Sequence, residues 1–145
     1  MNYMQLALAQ AKLAFEKDEV PVGAIIVENN KIIAATYNQN RILNDPTAHA
    51  EILALRQAAE IKKTHRLENC DIYVTLEPCA MCAFAISLAR IKRVYFATTD
   101  EKFGAIENGV RIFKNQSCFH KPEIYFGFAE NDSKDLLKNF FKTKR

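Results

Sequence analysis

The sequence predicts an α/β domain in which helices cover a sheet. Two observations carry that reading. Runs rich in β-branched and aromatic residues alternate along the chain with runs of helical periodicity. The composition is ordinary for a globular core, with 49% hydrophobic residues and only four glycines and four prolines in 145 residues. That length suits one core, so a single domain over residues 1–145 is expected.

The elements follow in chain order. NYMQLALAQAKLAFEKDE, residues 2–19, carries apolar residues at Leu6, Ala9 and Leu13, joined by Met4, Leu8 and Phe15. This period predicts an amphipathic helix with that face inward. VPVGAIIVENNKIIAATYN, residues 20–38, places two β-rich runs on either side of Asn29-Asn30, which predicts a hairpin. NQNRILNDP is a loop. A helix is predicted from Thr47 or Ala48 through AEILALRQAAEIKK, with Asp45 or Thr47 as cap and Pro46 near its start. CDIYVTL predicts a strand, and Pro78 opens a helix over CAMCAFAISLAR. RVYFAT and the shorter PEIYFGF predict strands, and SKDLLKNFFKTKR a final helix. Residues 100–121 predict loops with one short helix.

Composition also excludes some classes. The longest strongly apolar run, CAMCAFAISLA, has eleven residues, too few to span a bilayer. No basic residue precedes the apolar stretch of MNYMQLALAQAK, so a secretory signal is not expected and a cytoplasmic location is. In a reducing compartment the four cysteines, at 70, 79, 82 and 118, are expected as thiols or metal ligands. A net charge of +3 permits an RNA partner without requiring one.

Two short stretches carry the chemistry. TAHAEIL holds His49 and Glu51, and EPCAMC holds Cys79 and Cys82. Cys79 and Cys82 stand at i and i+3 near a helix start, so their sulfurs face one way. Thiolates are favoured at that positive helix end. Imidazole with two thiolates selects zinc over magnesium or calcium. A Cys-x-x-Cys by itself also fits a redox pair or two buried thiols, and a histidine at a helix start is usually a satisfied polar residue. A structural zinc would need a fourth protein ligand from Cys70, Cys118, His65 or His120. None of these stands in a second paired motif. The two cysteines suit small buried positions, and the two histidines lie in basic, loop-like contexts where solvent or RNA would meet them. An open fourth position filled by water is therefore expected. Glu51, two residues from the histidine, would stand near that water as a proton carrier. The simpler role for Glu51 is to favour a helix N-terminus, worth up to about 1 kcal/mol.

His-Ala-Glu followed by Pro-Cys-Ala-Met-Cys resembles the zinc-dependent cytidine deaminase superfamily, whose general signature is H-x-E…P-C-x-x-C, tRNA adenosine deaminases included. EVPVGA, DPTAHAEILALRQ, IYVTLEPC and LLKNFFKTKR are similar to the bacterial tRNA-specific adenosine deaminases over nearly the whole chain. The resemblance implies a three-layer α/β/α fold around a five-stranded mixed sheet and a homodimer. It implies hydrolytic conversion of adenosine to inosine at the wobble position of a tRNA anticodon stem-loop. By position it implies one zinc per chain on His49, Cys79 and Cys82, with Glu51 as proton shuttle. Asn38 would bond the flipped nucleotide, Val20 and Ala50 would line its pocket, and Asp100 and Lys102 would lie on a substrate-facing loop. Two stretches depart from the family pattern. GAIENG follows the substrate-facing loop where better-known members carry a Gly-Ser pair, and Phe119 stands where an asparagine is frequent. In the final helix Leu136, Leu137, Phe140 and Phe141 are expected as core, and Lys138, Lys142, Lys144 and Arg145 as a basic end for phosphates. A deaminase of free guanine or cytosine-type bases or nucleosides shares the same zinc motif and stands as the alternative.

Overall fold

Asn29 and Asn30 both adopt positive φ, at 50° and 60°, the conformation that a two-residue hairpin turn requires. They join β1 (Gly23–Glu28) to β2 (Lys31–Tyr37) in the predicted hairpin. The computed structural model describes residues 2–144, so Arg145 of the predicted basic end lies outside the described residues. The hairpin is preceded by α1 (Tyr3–Glu16). It is followed by α2 (Ala50–Lys62), β3 (Cys70–Leu76), α3 (Ala80–Leu88) and β4 (Arg93–Thr98). A short 3-10 turn at Ile112–Lys114 leads to β5 (Glu123–Phe126) and α4 (Glu130–Thr143).

The five strands form one mixed sheet in the order β2-β1-β3-β4-β5. β1 pairs antiparallel with β2 and β3, while β3–β4 and β4–β5 are parallel. Alternation along each strand sorts side chains onto two faces. Ile26, Ile72, Val74, Val94 and Phe96 pack with Ala54, Leu55, Ala83 and Ile86, so α2 and α3 cover one face. Ile25, Val27 and Ala97 pack with Met4 and Ala7 of α1 on the other. Ser133 of α4 donates to the Thr75 carbonyl, which fastens the last helix to β3. The result is the expected three-layer α/β/α arrangement around a five-stranded mixed sheet.

The face that α1 buries differs from the predicted one. Met4, Ala7, Leu8, Ala11 and Ala14 are buried, while Leu13 is 38% exposed and Ala9 faces solvent. The cause is a close approach of backbone to backbone. A Cβ on Gly23 would lie 2.0 Å from the Ala7 carbonyl oxygen and 2.6 Å from the Ala11 nitrogen. Only small residues on the helix allow that contact. Both central helices also begin later than expected, which sets the geometry of the site. α2 starts at Ala50 with His49 as its N-cap, and α3 at Ala80 with Cys79 as its N-cap.

Candidate metal centre and active site

His49 and Cys79 occupy equivalent places on two helices, and neither side chain caps its own helix. Both are turned inward instead. His49 Nδ1 lies 3.6 Å from Cys79 Sγ and 3.4 Å from Cys82 Sγ. The three ligand atoms all lie within 4.8 Å of one another and could hold a metal ion. Cys79 and His49 are half-buried and Cys82 is buried. Two helix N-termini therefore converge here with their partial positive ends, which favours thiolate. Hydrogen bonding from Cys82 and then from His49 holds the Cys79 thiol well down, at about 4. The neighbouring Cys79 sulfur, with burial, pushes Cys82 up. The Cys79 sulfur in turn raises His49. This is a pair in which one sulfur ionises first.

Glu51 lies in the first turn of α2, 4% exposed. Burial pushes its carboxyl up to about 7, against the pull of its own backbone N–H and of His49. A carboxyl poised near neutrality can both take and give a proton. Asn38 takes over the helix cap that His49 leaves vacant, since its Oδ1 accepts the Ala50 N–H at 2.7 Å. Its Nδ2 donors are then left for an occupant of the cavity that Asn38 lines.

That cavity, of about 1050 Å³, opens at the carboxyl ends of β3 and β4 and reaches His49, Glu51 and Cys79 at its floor. Open α/β sheets commonly bind ligands at this end of their strands. Val20, Asp100 and Lys102 line it. Ala50 does not. It is fully buried within the core, and it contributes its backbone, the N–H to Asn38 and the carbonyl to Thr36. The expected core stripe of α4 is also corrected. Phe140 is buried, but Phe141 is 47% exposed and lines the cavity with Leu137, Lys134 and Lys144.

The other cysteines and histidines stay apart from the cluster. Cys70 and Cys118 are buried, as their small apolar character suggests. His65 is exposed. His120 is not a solvated residue: its Nε2 donates to the Ile91 carbonyl at 2.6 Å, which ties the β4–β5 connection to the turn between α3 and β4.

Two buried glutamates escape the sequence reading. Glu19 shares the Arg41 N–H between its oxygens, at 3.1 and 3.0 Å, and accepts the Ile42 N–H at 2.8 Å. It thereby shapes the loop after β2. Glu77 does the same for the loop after β4. Burial works against the Glu77 carboxylate, but donors from Asp100, Asn108 and Ile106 outweigh it and hold its carboxyl below the ordinary glutamate range. Their only signal in the sequence is an acidic residue ahead of Val-Pro or Pro-Cys, and the partners that explain them lie 22–31 residues away.

Fold and site together define a deaminase domain. The family described as MafB19-like deaminase matches residues 1–145, and the chain belongs to that family. Within it the chain stands among the tRNA-specific adenosine deaminases. The protein of that name from Agrobacterium fabrum is 51% identical over 144 residues, 99% of this chain and 95% of the relative. A solved structure from studies of A-to-I editing by tRNA:A34 deaminases at the wobble position shares 51% identity with a TM-score of 0.92, covering 93% of this chain and 98% of that one. The guanine deaminase of Bacillus subtilis is a more distant likeness, at 38% identity and a TM-score of 0.65, over 68% of this chain and 66% of its own.

Proposed function

We infer that this protein deaminates adenosine to inosine at the wobble position of a tRNA anticodon, consuming water and releasing ammonia. The observation that carries the reading is Glu51, a buried carboxyl beside a His-Cys-Cys cluster at the floor of a cavity rimmed by lysines and phenylalanines. The family relationship supplies the substrate.

The donor set fits zinc. Tetrahedral bonds of about 2.3 Å to sulfur and about 2.0 Å to nitrogen would set those atoms about 3.5 Å apart. The His49 nitrogen stands 3.4 and 3.6 Å from the two sulfurs. We assign one zinc per chain to His49, Cys79 and Cys82; with three protein donors, such an ion would acidify a water in its open position. Glu51 takes a proton from the attacking water and passes it to N1 of the adenine, which makes C6 electrophilic. It then carries the second proton to the leaving amino group, so one carboxylate acts as base and then as acid. Asn38 Nδ2 orients the nucleoside, and Val20 forms the apolar side of its pocket. Asp100 and Lys102 face the rest of the RNA. The reacting base must leave its stack to reach this floor.

The partner is an anticodon stem-loop, and the place of action is the cytoplasm. A cavity of about 1050 Å³ stands at the top of the range of about 300–1,000 Å³ typical for small-ligand sites, so it has room for more than one base. The protein acts as a homodimer through the outer face of α3. Ile86 of that helix is core, whereas Phe84 and Leu88, one turn apart, are 39% and 66% exposed. Ser87 of the same helix donates to the carbonyl of His120, whose chain neighbour Phe119 is also exposed. Sedimentation should give a dimer, and Leu88→Glu a monomer.

The guanine deaminase likeness favours a second reading, a free-base deaminase on the same site. Measuring kcat/KM for a stem-loop, free adenosine, cytidine and guanine side by side decides between them. A free base or nucleoside that matched the RNA would replace the tRNA reading.

A further inference from the structure

One buried carboxylate beside the metal-ligand turn takes no part in the reaction as assigned. Glu77 follows β3 directly, stands two residues ahead of Cys79 and is 2% exposed. Its Oε1 accepts the Asp100 N–H at 3.0 Å and Asn108 Nδ2 at 2.8 Å. Its Oε2 accepts the N–H groups of Ile106, Glu107 and Asn108 at 3.0, 2.9 and 3.1 Å. Four main-chain donors and one side-chain donor thus converge on one group. Residues 100–109 contain no helix or strand, so these bonds replace the ladder that would otherwise satisfy the backbone.

The same loop touches the metal-ligand turn. The Ala105 N–H donates to the Pro78 carbonyl at 2.9 Å, and Gly104 bridges to Cys79. Gly104 is required by this wrap, because a Cβ there would lie 2.4 Å from the Glu77 carboxyl carbon and 2.4 Å from the Asp100 carbonyl oxygen. On its other side the loop presents Asp100, Lys102 and Phe103 to the cavity. Glu77 therefore gathers five donors of the outer wall onto one side chain beside the metal-binding floor, next to the two backbone ties at Pro78 and Cys79.

We propose that Glu77 is a positioning residue for RNA binding, one that holds the 100–109 wall in its receiving shape before substrate arrives. The proposal rests on the tRNA deaminase reading. A wall ordered in advance spares the complex the cost of ordering it on binding. Loss of Glu77 then weakens the encounter, while RNA that does bind still meets an intact floor. The expected signature is a raised KM with kcat nearly unchanged.

Two variants test this on the zinc-loaded enzyme. Glu77→Gln keeps the shape but turns an NH2 group towards facing N–H donors. Asn108→Ala removes one donor and leaves the carboxylate in place. Glu77→Gln should raise KM for the stem-loop by about tenfold or more, the size of effect that a lost charged hydrogen-bond cradle gives. Asn108→Ala should raise it less, and both should keep zinc and a kcat within about threefold of wild type. An unchanged KM, or lost zinc with collapsed kcat at constant KM, would overturn the proposal. Amide exchange separates this from the functional reading. In Glu77→Gln the amides of Ile106, Glu107 and Asn108 should lose protection while those of α2 and β3 keep it. If wild type proved inactive on the stem-loop, the tRNA reading would fall. Exchange would still decide whether Glu77 holds the wall, and unchanged protection would refute it.

Discussion

The Asn38 side-chain oxygen accepts the Ala50 N–H at 2.7 Å, and in doing so frees His49 from capping its own helix. A helix start normally spends its N-cap side chain on an orphan N–H. Here that side chain faces two sulfurs, and a residue from the loop after β2 supplies the missing acceptor. Asn38 thus has two separable jobs. Its oxygen stabilises α2, and its nitrogen faces the cavity. Asn38→Asp keeps the acceptor and removes the donors, so folding and metal content should persist while kcat/KM falls. Asn38→Ala removes both and should also cost about 1 kcal/mol of stability. Thermal unfolding and kinetics on the two variants check this; equal stability loss in both would contradict the division.

Glu51 should be separable from binding. Glu51→Gln preserves volume and removes the proton carrier but no ligand. Turnover should fall by about 10²–10⁴-fold, with zinc and fold retained. Near-normal turnover in that variant would remove Glu51 from the mechanism.

What the sequence makes legible is local. The Asn29-Asn30 turn needs only two residues that tolerate positive φ, and the runs over β3 and β4 need only β-branched and aromatic side chains. His49 with Glu51, and Cys79 with Cys82, are legible because each pair lies within one turn of chain; that the two pairs, 30 residues apart, meet at one centre is legible only through the family resemblance. The remainder depends on distant partners. The buried face of α1 is built from alanines, which carry little apolar signal, and the reason for them is Gly23 on a strand. Ala50 is drawn into the core by its helix, and only its backbone serves the site. Phe141 looks like a core residue from its period, yet the cavity lies where α4 would otherwise find a neighbour. Glu77 is illegible because four of its five donors are backbone groups, which no residue type announces.

Thiol chemistry should report the centre directly. In metal-free protein Cys79, held at about 4, is ionised at pH 7, whereas burial pushes Cys70 up to about 11 and keeps it a thiol. Brief alkylation at pH 7 should therefore label Cys79 first and spare Cys70. One equivalent of zinc should abolish that labelling and raise the melting temperature, because the ion binds the folded chain. Elemental analysis should give about one zinc per chain. Labelling of Cys70 before Cys79, or no protection by zinc, would contradict the assignment.

The last prediction concerns how the RNA is held. Lys102, Lys134 and Lys144 all line the cavity, from the 100–109 loop and from both ends of α4. None is fixed by burial. Lys134 pairs with Glu130 at 2.9 Å on its own helix, and Lys144 reaches Asp18, which also holds Arg41 at 2.6 Å. Exposed pairs of this kind contribute little to stability, so exchanging a carboxylate for a phosphate costs the fold little. A stem-loop can therefore recruit these cations, while a free nucleoside reaches only the floor. Remote contacts of this kind deliver the base already oriented and can lower the barrier by several kcal/mol. The stem-loop should then be deaminated far faster than free adenosine. Its affinity should fall as salt rises, since each phosphate contact releases counterions. Lys144→Gln should lower the slope of log K against log salt by about one, and truncation before Lys142 should weaken RNA binding while leaving zinc in place. Titrations of the wild type and both variants at several salt concentrations test this. A slope that neither change altered would return the end of α4 to a solvated helix terminus.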